Sequence, residues 1–206
     1  IRVEGLTIAY PAYAMLGTLL WQNFADALQA PLRMASQNRS LLMKVQFPRE
    51  ALIISGIYQV LFNFCARLLL LVPVMVYFKV PVGGSLALFP IGMLELILFG
   101  TALGVLLAPM GILFKDVEIG TAMILGFWML LTPVVYPPIQ SGWGAVVAKW
   151  NPVSPVLQTS RDWLVGQAPV QLPGFCWVTG ITAGALFVGW ILYRISLPHV
   201  IARIGN

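Results

Sequence analysis

The sequence predicts an all-α, polytopic integral membrane protein, and three observations carry the prediction. Only 9% of its 206 residues are charged while 59% are hydrophobic, against about 25% charged in a typical soluble domain. So few charges cannot cover a water-facing surface. The apolar residues fall in five long runs, at roughly 6–24, 51–78, 85–114, 119–136 and 175–193, and a helix needs about 20 such residues to cross the hydrocarbon core. The basic residues gather beside those runs, as topogenic charges do. That placement accounts for the net charge of +5, so no nucleic-acid partner is expected.

The runs alternate in direction, which fixes the sides. Arg33, Arg39, Lys44, Arg49, Lys115, Arg194 and Arg203 share one side; Arg2, Lys79, Lys149 and Arg161 share the other. The first group is the larger, so its side is expected to be cytoplasmic. Pro73, Pro90 and Pro109 are expected to kink their helices or mark their ends. Gly100-x-x-x-Gly104 and Gly180-x-x-x-Gly184 have the spacing that lets membrane helices approach closely. The whole chain reads as a single transmembrane domain. An inner connection spans 25–50 and an outer one 137–174, both longer than a turn requires.

Absences exclude several chemistries. None of the four lysines follows a glycine, so the phosphate-cradling Gly-Lys-Ser/Thr loop is missing. His199 is the lone histidine, too few for a metal site or a nucleophile–base pair. No carboxylates pair at hydrolase-like spacing. Catalysis, and a cofactor held by this chain, are not expected. Cys65 and Cys176 lie in apolar runs, which is not a disulfide framework.

The inner connection carries an amphipathic stretch. Asn38 has the chemistry to cap a short helix starting at Arg39, in which Leu41, Leu42 and Val45 gather on one face beside Arg39 and Lys44. Phe47-Pro48 ends it. Such a helix either docks into a groove of a soluble partner or lies on the lipid surface.

Arg67 and Glu95 stand inside apolar runs, each fourteen residues from Pro81. A charge there is costly and faces protein or water. At similar depth in a hairpin the two are candidates for a buried pair. Contact with cargo in a water-filled path and snorkelling to an interface are the alternatives. Trp143, Trp150 and Tyr136 are placed at the outer boundary and Trp21 and Tyr193 at the inner one, as in an interfacial belt. Tyr10, Tyr13 and Tyr58 are candidates to line a channel, since a tyrosine offers both an apolar ring and a polar hydroxyl. In the outer connection, 142–149 and 151–166 have near-helical apolar spacing broken at Asn151-Pro152. Two short helices re-entering the outer boundary are expected.

Asn38-x-x-Leu41-x-x-Lys44-x-x-Phe47-Pro48-Arg49-Glu50 resembles the signature of permease subunits of type-2 ABC exporters for O-antigen, capsular polysaccharide and teichoic acid. The likeness continues in order along the chain. Tyr10-Pro-x-Tyr13 with Gly17 and Trp21-Gln-x-Phe24 is similar to that family's second membrane helix. Leu113-Phe114-Lys115-Asp116-Val117 is similar to its inner turn. Thr132-Pro133-Val-Val-Tyr136-Pro137, then Asn151-Pro152-x-x-Pro155 and Arg161-Asp162-x-Leu164-x-x-Gly166, are similar to its outer elements. The family pattern opens with an amphipathic helix and a further membrane helix. Five of six membrane helices are therefore expected here, and the chain is expected to be incomplete at its N-terminus.

The resemblance implies a homodimer in a bacterial inner membrane, each copy holding a separate ATP-binding subunit that carries the ATP and Mg. It implies that lipid-linked polysaccharide crosses between the two copies. It makes 36–44 the coupling helix, with Ser36, Asn38, Arg39, Leu41, Leu42 and Lys44 touching the ATPase and Lys115 and Asp116 forming a second inner contact. It makes the outer helices a gate, with Trp143, Trp150, Asn151, Pro152 and Arg161. The alternatives are a type-2 ABC exporter of drugs or small lipids, a secondary transporter, for which inverted repeats are expected and none is visible, and a membrane-embedded transferase, which needs clustered Asp, Glu or His.

Overall fold

The computed structural model describes residues 8–38, 50–138 and 142–204, and every regular element among them is helical. These are α1 (Tyr10–Gln37), α2 (Glu50–Tyr77), a 3-10 turn at Gly84–Leu88, α3 (Phe89–Leu113), α4 (Lys115–Leu131), the short α5 (Gly142–Trp150) and α6 (Val153–Leu164), and α7 (Leu172–Ile204). Three stretches among the described residues are long and apolar enough to cross a bilayer: Ile53–Tyr77, Gly84–Leu113 and Leu172–Ser196. The chain is an all-α polytopic membrane protein.

Helix boundaries depart from the sequence reading in three places. α1 opens with Pro11 in its first turn, where a missing N–H costs nothing. It does not stop at Phe24 but absorbs 25–37. Asp26 and Arg33 end the apolar run without ending the helix, because Ala27, Leu28, Gln29, Ala30 and Leu32 between them are strong helix formers. Pro31 is carried inside. Asn38 then closes α1: its backbone N–H and its Nδ2 both donate to the Met34 carbonyl, at 3.2 and 2.9 Å. The expected helix from Arg39, with Leu41, Leu42 and Lys44, lies outside the described residues. α4 stops at Leu131 rather than Tyr136, since Thr132 precedes a proline and turns extended (φ −98°, ψ 138°), as residues before proline do. α7 extends beyond 175–193 at both ends, from Leu172 to Ile204.

Sequence order alone does not set which helices pack together. α3 is central, flanked by α1 and α7, while α2 packs on the far side of α1 and barely meets α3. Gly100 and Gly104 set the α1–α3 distance. A Cβ at Gly100 would stand 2.5 Å from the Phe24 carbonyl, and one at Gly104 2.3 Å from that of Leu28. Beside this seam Phe24 stacks on Phe99, centroids 5.7 Å apart. Gly180 and Gly184 face open space instead. Trp21, expected at a boundary, is buried in this core and packs on Phe24 and Trp128; Tyr193 is buried too. At one end of the bundle α6 lies across α1, α3 and α7. Its polar stripe is short and its inner face, Val153, Val156 and Leu157, is fully buried. Gly166, at φ +77°, ends α6, letting Gln167 N–H return to the Asp162 carbonyl at 2.8 Å.

Candidate functional site

The end of the bundle covered by α5 and α6 holds a polar assembly drawn from four parts of the sequence. α4 breaks at Thr132-Pro133, leaving carbonyls without helical partners. Arg161, on α6, supplies donors: its Nη2 lies 2.7 Å from the Val134 carbonyl and 3.3 Å from that of Pro133. The guanidinium also covers the Tyr13 ring, 3.9 Å from its centroid, a cation–π contact strengthened by the loss of water. Tyr13 in turn donates its hydroxyl to the Tyr136 carbonyl at 3.3 Å. Gly17, one turn on from Tyr13, makes room. A Cβ there would stand 1.9 Å from the Val134 oxygen and 2.2 Å from Arg161 Nη2.

Arg161 is only 4% exposed. Burial lowers its pKa from the usual range, and the neighbouring Tyr13 and Asp162 oppose that shift. Asp162 is pushed up by burial, against the Val170 N–H and Arg161. Arg161 is thus a buried clamp on the helix break, and Tyr13 lies 7% exposed beneath it. Of the other tyrosines in that group, Tyr58 is 69% exposed and Tyr10 36%.

Asn151 closes a second network beside the first. Its Oδ1 accepts from Trp128 Nε1 and from the Val153 amide, both at 3.1 Å. Its Nδ2 donates to Thr132 Oγ1 at 2.7 Å, and that hydroxyl passes its own proton to the Trp128 carbonyl at 2.9 Å. Each atom has a role consistent with its chemistry, so one buried carboxamide joins the end of α4 to the start of α6. Asn151 is thus a buried brace, and Pro152 beside it is half-buried. Trp143 and Trp150 are 87% and 82% exposed on α5.

At the opposite end, Ser36 lies in the last turn of α1 rather than in a separate helix, and its hydroxyl donates to Glu118 Oε2 at 2.8 Å. This ties the C-terminus of α1 to the first turn of α4, where Lys115 and Asp116 are exposed. Asp116 and Glu118 suit a helix N-terminus.

The intramembrane charges pair differently from the expectation. Arg67 meets Asp26, Nη2 to Oδ2 at 2.7 Å, and Glu95 accepts from Thr182 at 2.7 Å on the other side of α3. The depth argument assumed that α2 and α3 pack as a hairpin; α1 stands beside both and separates them. Asp26 was missed because residue 25 was taken as the start of a connection. The helix formers on both sides of Pro31, at 27–30 and 32–35, were the available signal.

No family model matches the chain. The fold and its two polar ends define a polytopic α-helical membrane protein with a braced cap at one end. The chain is similar to an O-antigen export system permease protein, RfbA of Myxococcus xanthus, with 33% identity over 129 residues. The match covers 62% of this chain and 49% of the relative, so the chain spans about half the length of that curated relative.

Proposed function

We propose that this chain is the membrane-spanning subunit of an ATP-binding-cassette exporter, and that its cargo is a polysaccharide on a lipid carrier crossing the inner membrane. The similarity to an O-antigen export permease carries the reading. The convergence of Tyr13, Gly17, Val134 and Arg161 supports it, because these come from the motifs that resemble polysaccharide exporters.

Energy then comes from a separate subunit that binds ATP and Mg, seated against the end that carries Ser36, Asn38, Lys115 and Asp116. Arg39, Leu41, Leu42 and Lys44 would complete that contact. The Ser36–Glu118 bond makes α1 and α4 receive a push together, as rigid-body transmission requires. A homodimer gives the cargo a path, since one bundle with glycine-closed seams has no room for a glycan. The braced α5–α6 cap acts as the outer gate, moving as one body with the end of α4.

Co-purification of an ATP-binding-cassette ATPase with this chain is the test. Leu41→Asp with Leu42→Asp should abolish capture while leaving membrane insertion intact. Capture at wild-type strength by that variant would refute the coupling assignment.

A further inference from the structure

A cavity of about 320 Å³ opens between α5, α6 and the start of α7, walled in part by Lys149, Ser154, Gln158 and Gln171 with Pro138 and Pro155. It is separate from the Arg161 clamp and from the Asn151 brace. Its volume is at the lower end of small-molecule sites, roughly 300–1,000 Å³, enough for a sugar ring but not for an extended glycan. Ser154 is 1% exposed, and its hydroxyl has no hydrogen-bond partner among the described residues. A buried hydroxyl in that state costs free energy unless something fills the role.

The chemistry of the wall selects among ligands. Two carboxamides offer acceptors as well as donors, and the serine hydroxyl does both. Phosphate accepts only, so the two amide oxygens would face it unfavourably, and Lys149 alone supplies a cation. Vicinal hydroxyls donate and accept, which matches. The proline rings and Ala145 give the apolar surface that sugar C–H faces need. No aromatic platform is among the lining residues, so binding is shallow and exchange is fast.

We infer that this cavity is a saccharide subsite on the outer cap, holding one ring at a time through Gln158, Gln171 and Ser154. The inference rests on the export reading for its purpose, since a transit site must release what it holds. It does not rest on that reading for its chemistry.

The experiment uses the full chain in lipid nanodiscs, with D-glucose, D-mannose and N-acetyl-D-glucosamine as probes and saturation-transfer NMR as readout. At least one sugar should give transfer signals. Gln158→Leu with Gln171→Leu should weaken its apparent affinity about tenfold or more, from two lost hydrogen bonds. A second measurement keeps the wild-type packing of α6. Ala148→Cys, a lining position with no assigned hydrogen bond to the sugar, in a Cys65→Ser, Cys176→Ser background is labelled with a maleimide, and the bound sugar should slow labelling. Absence of both transfer and protection overturns the site. Protection by inorganic phosphate but by none of the sugars also overturns it, in favour of an anion site. Either failure leaves ATPase capture untouched, so the subsite and the export reading fail separately.

Discussion

Gly17→Ala adds one methyl group, and its effect follows from what that methyl meets. The new Cβ would stand 1.9 Å from the Val134 oxygen, 2.2 Å from Arg161 Nη2 and 2.9 Å from the Val134 carbonyl carbon. Contacts under 3.0 Å do not persist, so the 132–136 segment must retreat by about an ångström or α1 must move. The oxygen is backbone and has no rotamer to escape into. Two costs follow. Overpacking a tight core site costs about 1–3 kcal/mol. Stretching the 2.7 Å bond from Arg161 to Val134 forfeits part of a charge-assisted hydrogen bond, about 1.5–3 kcal/mol. Alanine returns up to about 1 kcal/mol through helix propensity. The net is a loss of roughly 2–5 kcal/mol. Gly180→Ala is the internal control, since nothing lies within 4 Å of its Cβ; it should be neutral or slightly stabilising. Unfolding in detergent, followed by tryptophan fluorescence, reads both variants through Trp21 and Trp128. If Gly17→Ala unfolds with Gly180→Ala and wild type, the close approach of α1, Arg161 and the helix break is wrong.

Asn151→Leu removes the acceptor for Trp128 and Val153 and the donor to Thr132. With each stranded buried group costing about 1–3 kcal/mol, the variant should lose several kcal/mol and expose Trp128. A red-shifted emission in a Trp143→Phe, Trp150→Phe background is the check, and an unshifted spectrum would count against the brace. For the charges within the bundle, Arg67→Asp should destabilise strongly, because it leaves Asp26 facing a like charge. Arg67→Asp with Asp26→Arg should recover stability in part, whereas Arg67→Glu with Glu95→Arg should not. Recovery by the Glu95 swap would sink the observed pairing.

How much of this was legible in the sequence depends on the range of the interaction. The fold class rests on composition and on runs of about 20 apolar residues, which one helix and the lipid decide locally. The end of α4 at Thr132-Pro133 has an equally local cause, since proline acts on its immediate neighbour. Gly100 and Gly104 proved to be a true helix contact, but Gly180 and Gly184, with identical spacing, face open space. Spacing says that a close approach is permitted; only the neighbour decides whether one occurs. The Arg67–Glu95 expectation failed at the same point. Depth in a membrane is readable from residue counts, but which helix stands alongside is not. Arg161 was legible as a residue of interest and illegible as a buried one. A charge on a short polar helix reads as exposed until the carbonyls of a broken helix 27 residues away are seen to need it.

The two polar networks at the capped end share a logic that bears on movement. Arg161 reaches the carbonyls freed by the α4 break, and Asn151 reaches Thr132, the residue at which α4 ends. The end of α4 is therefore bound to both ends of α6, while Tyr13 and Gly17 bind the same break to α1. At the other end of the bundle, Ser36 of α1 is bonded to Glu118 of α4. The pair α1–α4 is thus latched at both ends by polar contacts and is only lightly packed between them, since Thr121 and Leu125 alone are buried along α4. Polar latches are directional and break over short displacements, whereas a packed apolar seam such as α1–α3 resists sliding everywhere along its length. A displacement imposed on the first turn of α4 would therefore be felt at Thr132 and Arg161 before it disturbed the α1–α3 seam. A tightly packed α1–α3 core, with α4 held to α1 chiefly by polar contacts at its two ends, is what the distribution of glycines and hydrogen bonds encodes.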